Sequence, residues 1–240
     1  MDSKTIFLEA CKAIAAELDG FKIYEKGQRL KKTASDKDIF FEISFQTDIG
    51  NHSSHIMINP SIAIYSKSLK KWQIEHLEND FSKGLIYASH LGYITPYKTW
   101  KKWNLAGLSY EKSVGEIVKS IQKYVLPIFE IFDSQATGIE FLKNKGTKFN
   151  PYTEDSLAPI DFLLCHSDKQ TAEIFFNHYI ENCSYKGKII SFFDKLKTEK
   201  EIDFNYSEFV NAGQIKLAFA QGLSIDPKLK VTNKDQNSNS

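Results

Sequence analysis

Four small groups of residues carry side chains suited to chemistry. His52 and His55, with Asp48 upstream, offer two imidazoles and a carboxylate within one short loop, the beginning of a metal site. A metal centre needs a third or fourth ligand and groups that orient the first ones, and the surrounding sequence supplies neither. Cys165-His166 sets a thiol beside an imidazole, the residue types of a nucleophile and its base. On a helix adjacent side chains diverge, so this pair is badly placed to share a proton. Glycine-rich phosphate loops, the dinucleotide fingerprint, the nucleophile elbow and the zinc-protease helix motif are all missing from the chain. No catalytic residue, metal ligand or cofactor is assigned, although an enzyme with a pocket that leaves no motif stays open.

The other two groups suit binding. Tyr93, Tyr97, Trp100 and Trp103 interleave with Lys98, Lys101 and Lys102. Rings beside ammonium groups stack on bases and pair with phosphates, and aromatic residues also anchor protein interfaces. Glu42, Ser44 and Gln46 alternate along one segment, and Asn59, Ser61 and Tyr65 along the next, so a sheet would gather them on one polar face. The expected partner-binding set is Glu42, Ser44, Gln46, Asn59, Tyr65, Tyr97, Trp100, Lys101 and Trp103. An ordinary hydrated sheet surface, and a loop pinned to the core by its tryptophans, would use the same residues.

These side chains must be held by the elements around them. Ile39, Phe41, Ile43 and Phe45 are apolar at alternate positions, with Phe40 the exception to the alternation. Ile56, Ile58, Ile62 and Ile64 repeat the pattern, and Ile49 to Ser53 has the residues of a hairpin loop. Two strands follow, each with one buried and one wet face. Pro60 cannot donate to a ladder, which predicts a bulge or exposed edge there. Phe21–Tyr24 and Arg29–Thr33 form a lysine-rich hairpin, with Lys22, Lys26, Arg29, Lys31, Lys32 and Lys37 in or beside it. Lysines on an edge hairpin discourage sheet-to-sheet association. Ser3 caps a first helix to Leu18, Leu69–Phe81 is a short helix or charged loop, and Leu85–Ile94 is a further strand. Ser113 and Glu116 form a capping box for a helix over Val114–Phe132, which Pro127 kinks or ends. Ile139–Asn144 is a further short helix. After Gly146 strand alternation stops, and the candidate helices are Leu157–His166, Lys169–Asn182, Lys188–Lys197 and Tyr206–Gln221.

A chain of 240 residues with 42% apolar content buries a real core. Its formal net charge of +1 gives no global field toward nucleic acid or an anionic membrane. Arg29 is the only arginine, which argues against bidentate readout of guanine, though lysine-rich codon usage explains the same scarcity. Cys11, Cys165 and Cys183 are odd in number and far apart, the pattern of a reducing compartment. The first helix is interrupted by Glu9, Lys12 and Glu17, and no apolar run approaches the ~18 residues of a membrane span. A soluble, cytoplasmic protein without a membrane partner is expected.

Asp19-Gly-Phe-Lys22, Gly27-Gln-Arg-Leu-Lys31, Phe41-Glu-Ile-Ser-Phe-Gln46, Ile56-Met-Ile-Asn-Pro-Ser-Ile-Ala-Ile64 and Ile121-Gln-Lys-Tyr-Val-Leu-Pro-Ile-Phe129 resemble segments of a bacterial family, domain-of-unknown-function family 4304. The resemblance spans roughly residues 4 to 145. Thr47 after Gln46, and Pro60 within its strand, depart from that pattern. It implies an α+β fold in a cytoplasmic bacterial protein and names no reaction. Similar small domains occur among immunity and defence proteins, which implies a protein partner by association.

The expected fold is α+β: an antiparallel sheet of four or five strands over residues 1–148 with helices on one face, a helical lobe over 149–225, and a disordered tail over 226–240. The expected function is non-enzymatic binding of a protein partner, of an immunity or defence type. Nucleic-acid binding through the aromatic–lysine loop Lys98–Trp103 and the basic hairpin is the alternative.

Overall fold

The computed structural model describes residues 2–48, 50–52, 54–77, 82–199, 201–204 and 207–230. The fold is α+β, and the chain divides into two compact units. The first is Met1–Gly138 with Lys148–Thr153, and the second is Ile139–Thr147 with Glu154–Ser240. The sequence alone put one boundary near residue 148. The division instead falls inside a helix and then crosses the chain twice more.

The first unit is built on an antiparallel sheet in the order β1 (Lys22–Tyr24), β2 (Arg29–Thr33), β3 (Ile39–Thr47), β4 (Met57–Ser66), β5 (Leu85–His90), with β6 (Trp103–Asn104) also on β4. Phe41 faces Ile64 and Ile43 faces Ile62 across β3 and β4, so the two alternating apolar sets share one side. All four are buried. On that side lie α1 (Ser3–Ala16), α3 (Tyr110–Ser120) and α4 (Leu126–Ile131), with the Phe129 ring stacked on Phe41 at 4.5 Å. Burial pushes the Cys11 thiol on α1 up to about 12, so it stays protonated.

Pro60 neither bulges the β3–β4 ladder nor lies on an open edge, as its sequence position suggested. Phe45 donates its N–H to Gln28 on the β2 side, so the Phe45–Pro60 pair exchanges no hydrogen bonds. Pro60 therefore turns its nitrogen to the other edge of β4. There β6 pairs with Met57 and Ile58, and β5 with Ser61 to Tyr65, which leaves Pro60 between the two. The register shift of β4 is at Ile64 and Tyr65. β5 and β6 amount to one edge strand interrupted by residues 91–102.

Three local expectations need correction. The first helix is capped by Asp2, whose carboxylate accepts from the Thr5 N–H at 2.9 Å, rather than by Ser3. Ser113 lies inside α3 and donates to the Asn104 carbonyl, so it forms no capping box. The helix does not end at Pro127. It widens into a π turn at Ile121–Val125, and α4 resumes with proline in its first turn, where no amide is required.

The second unit is helical. It contains the end of α5 (Gln135–Lys145), then α6 (Ile160–His166), α7 (Lys169–Asn182), α8 (Lys186–Leu196) and α9 (Ala212–Ala220). Asp168 caps α7 through the Thr171 N–H at 2.7 Å. Phe176, Phe193 and Phe219 pack ring to ring in its core. Pro227–Lys230 form a helical turn, α10, where the tail was expected to begin, and the rest of that tail lies outside the described residues. Among the described residues no helix is long and apolar enough to cross a membrane.

Candidate functional site

The polar face of the sheet opposes Phe40 to Tyr65, Ser44 to Ser61 and Gln46 to Asn59 across β3 and β4. Glu42 and Ser44 face Lys31 and Arg29 across β2. The Phe40 and Tyr65 rings stack on each other at 5.0 Å and 17°, which turns the one break in the sequence alternation into half of an aromatic floor of two rings. Glu42 is ion-paired with Arg29 at 3.2 Å and Lys31 at 3.3 Å. Burial, and then the Glu42 charge, raise the Tyr65 phenol above its usual range, so it remains an uncharged ring.

α2 (Lys67–Leu77) leaves the end of β4 and walls this floor. Its start is tied to the Asp38 carboxylate, which accepts from the Ser66 hydroxyl at 2.5 Å and the Ser68 N–H at 2.9 Å. Burial alone would raise the pKa of Asp38, but the hydrogen bonds from Ser66, Ser68 and Gln135 outweigh it and hold the carboxyl below its ordinary value. Gly84 brings Lys83 in from the other side. Its φ is +69°, and a Cβ there would overlap the Ser66 carbonyl and crowd the Lys70 N–H at 2.7 Å.

The result is a cavity of ≈ 590 Å³ lined by Arg29, Lys31, Phe40, Glu42, Tyr65, Lys67, Lys70, Lys71, Ile74 and Lys83. It holds six cationic side chains against one carboxylate, and that carboxylate is already engaged by Arg29 and Lys31. Among the described residues no carboxylate pairs with Lys70, Lys71 or Lys83. Ammonium groups set around a ring-floored concavity attract a polyanion that also carries flat rings.

The far end of the same face is covered by residues 91–102. Trp100 stacks on His90 at 4.2 Å and 18°, and Tyr93 meets both rings edge-on. Lys102 reaches both oxygens of Asp48 at 2.8 Å. Gly92 admits the returning loop, because a Cβ there would overlap the Thr99 carbonyl. The polar face is thus a trough closed at both ends rather than an open platform.

The expected partner-binding residues separate accordingly. Glu42 and Tyr65 line the cavity, while Ser44 bonds to Ser61 at 2.9 Å between the two ends. Gln46 is exposed, but Asn59, expected on the wet surface, is 6% exposed. Trp100 is 52% exposed, whereas Trp103 at 2% is a core residue, because its strand pairing with Ile58 turns it to the apolar side. Lys101 is committed to Glu116 at 3.3 Å and lies 3.7 Å from the Tyr97 ring. Tyr97 itself donates to Glu116. The loop's own cations are therefore largely neutralised, and among the described residues Lys70, Lys71 and Lys83 in the cavity have no carboxylate partner. His52 and His55 stack on each other, and among the described residues no group of three or more metal-ligating side chains gathers.

Phe40, Lys67, Lys70, Lys71, Lys83 and His90 were not picked out from sequence. One signal was present: Lys67, Lys70 and Lys71 stand at helical spacing directly after a strand. No protein-family model, curated protein or solved structure matches the chain.

Proposed function

We propose that the chain is a non-enzymatic nucleic-acid-binding protein that holds its ligand in the cavity between β2, β3, β4 and α2. The observation that carries this is one cavity lined by six basic side chains together with the stacked Phe40 and Tyr65 pair. Phosphates meet the lysines and bases lie on the rings, a combination that favours single strands because duplex bases are already stacked. The role differs from the alternative drawn from sequence in its address: the basic hairpin is kept, and the α2 lysines with Lys83 take the place of the Lys98–Trp103 loop.

Titration of a fluorescent single-stranded oligonucleotide at rising salt tests it. Affinity should fall steeply on a log–log plot, because each phosphate contact releases counterions. The Lys70→Glu/Lys71→Glu double variant should lose the binding. Absence of binding at low salt would reject the function. Capture of an acidic protein in place of any oligonucleotide would return the molecule to the immunity-type role that its sequence resemblance implies.

A further inference from the structure

The far end of the trough has a separate peculiarity. Asn59 and His90 are each only 6% exposed, yet Asn59 Oδ1 and His90 Nε2 have no hydrogen-bond partner among the described residues. Each unmet buried group costs about 1–3 kcal/mol. His90 Nδ1 accepts the Gly92 N–H at 3.3 Å, which puts the imidazole proton on Nε2. The two unmet groups are thus one acceptor and one donor. His90 lies opposite Ser61, and Asn59 is two positions along the same strand, so they share a sheet face as diagonal neighbours about 7–8 Å apart at the backbone.

We infer that this end is a nucleobase pocket, in which Asn59 Oδ1 accepts from and His90 Nε2–H donates to the edge of one base while Trp100 stacks on its face. The inference rests on the nucleic-acid function above and names the part of the ligand recognised here. Every base carries neighbouring donors and acceptors along its pairing edges, which single strands leave free. Trp100 now lies on the imidazole with much of its ring in solvent, so a base set edge-on to Nε2, in the plane of the imidazole, is covered when that ring slides across onto it. The loop need not let go for this, since Lys101 holds Glu116 and Lys102 holds Asp48 on the positions next to it. From Tyr65 to Asn59 is six strand residues, about 20 Å, so one short strand reaches from the lysine cavity to this pocket.

Anisotropy titrations of the full chain with homopolymer decamers of each base, and with an abasic decamer of equal charge, test it. The native protein should prefer one homopolymer by about tenfold, the discrimination expected of one two-point base contact. Trp100→Ala and Asn59→Ala, each checked for folding by circular dichroism, should bind all four homopolymers within about twofold of one another. Trp100 is half-exposed, so its replacement keeps the test valid if the Asn59 variant fails to fold. Equal native affinity for the four, or a preference that survives both substitutions, overturns the pocket and leaves the cavity's function standing. Weak binding of the abasic strand beside strong binding of one homopolymer supports it. Failure of every strand to bind overturns both.

Discussion

His90 is held neutral. Burial, and then the nearby Lys102 charge, bring its pKa down to about 4 from an ordinary 6.5. Between those values the unfolded chain takes up a proton that the folded chain refuses, so stability falls as pH drops through this window and is fully present above it. Denaturant unfolding at pH 7 and pH 4.5 should show a loss on the order of 2 kcal/mol in the native protein that His90→Gln lacks. Phe40 is the counterpart at the other end. Phe40→Ala removes half of the stacked floor and should weaken oligonucleotide binding about tenfold, read by anisotropy. Neither role was visible in the chain. Phe40 looked like an irregularity in an otherwise alternating strand, and a histidine after an apolar run carries no mark of what will stack on it. Glu42 and Tyr65 were legible because alternation fixes which face a strand residue takes, whatever packs above it.

The elements were more readable than the side chains they carry. Alternation identified β3 and β4 despite Phe40, and its loss after Gly146 marked the helical stretch, because alternation follows from burying one side of a strand. End signals were less secure: Ser113 has the spacing of a cap but spends its hydroxyl on the neighbouring Asn104 carbonyl. The junction of β4, α2 and β5 depends on contacts between residues far apart in sequence. Asp38→Ala should cost about 1–2 kcal/mol by removing the acceptor at the start of α2, with Asp38→Asn recovering part of it in urea unfolding. Gly84→Ala has a different cause, a Cβ with nowhere to go at positive φ, and should lower stability by about 3 kcal/mol. It should also displace Lys83 and Lys70 and so reduce oligonucleotide affinity, which the Asp38→Asn variant largely keeps.

At the scale of the molecule, 31 basic and 30 acidic residues cancel, so any attraction for a polyanion must be local. That is why composition argued against nucleic acid: Arg29, Lys31, Lys67, Lys70, Lys71 and Lys83 are dispersed over more than fifty residues, and only folding collects them. Ligand linkage gives a whole-molecule test. A single-stranded oligonucleotide at 100 times its dissociation constant should stabilise the chain by about 2.7 kcal/mol at low salt, seen as a higher unfolding midpoint. The gain should shrink as salt weakens binding. Lys216→Met, which breaks the buried contact with Glu208 in the helical unit, should lower stability without changing oligonucleotide affinity.

Pro60 has a consequence for how such a molecule can diversify. A strand that offers no N–H at one point donates nothing to its neighbour there, and at that point the edge strand departs as residues 91–102 and comes back. New lengths and new aromatic tips can be tried in that excursion while the rungs on either side stay in step. Recognition can change without the scaffold having to be re-paired.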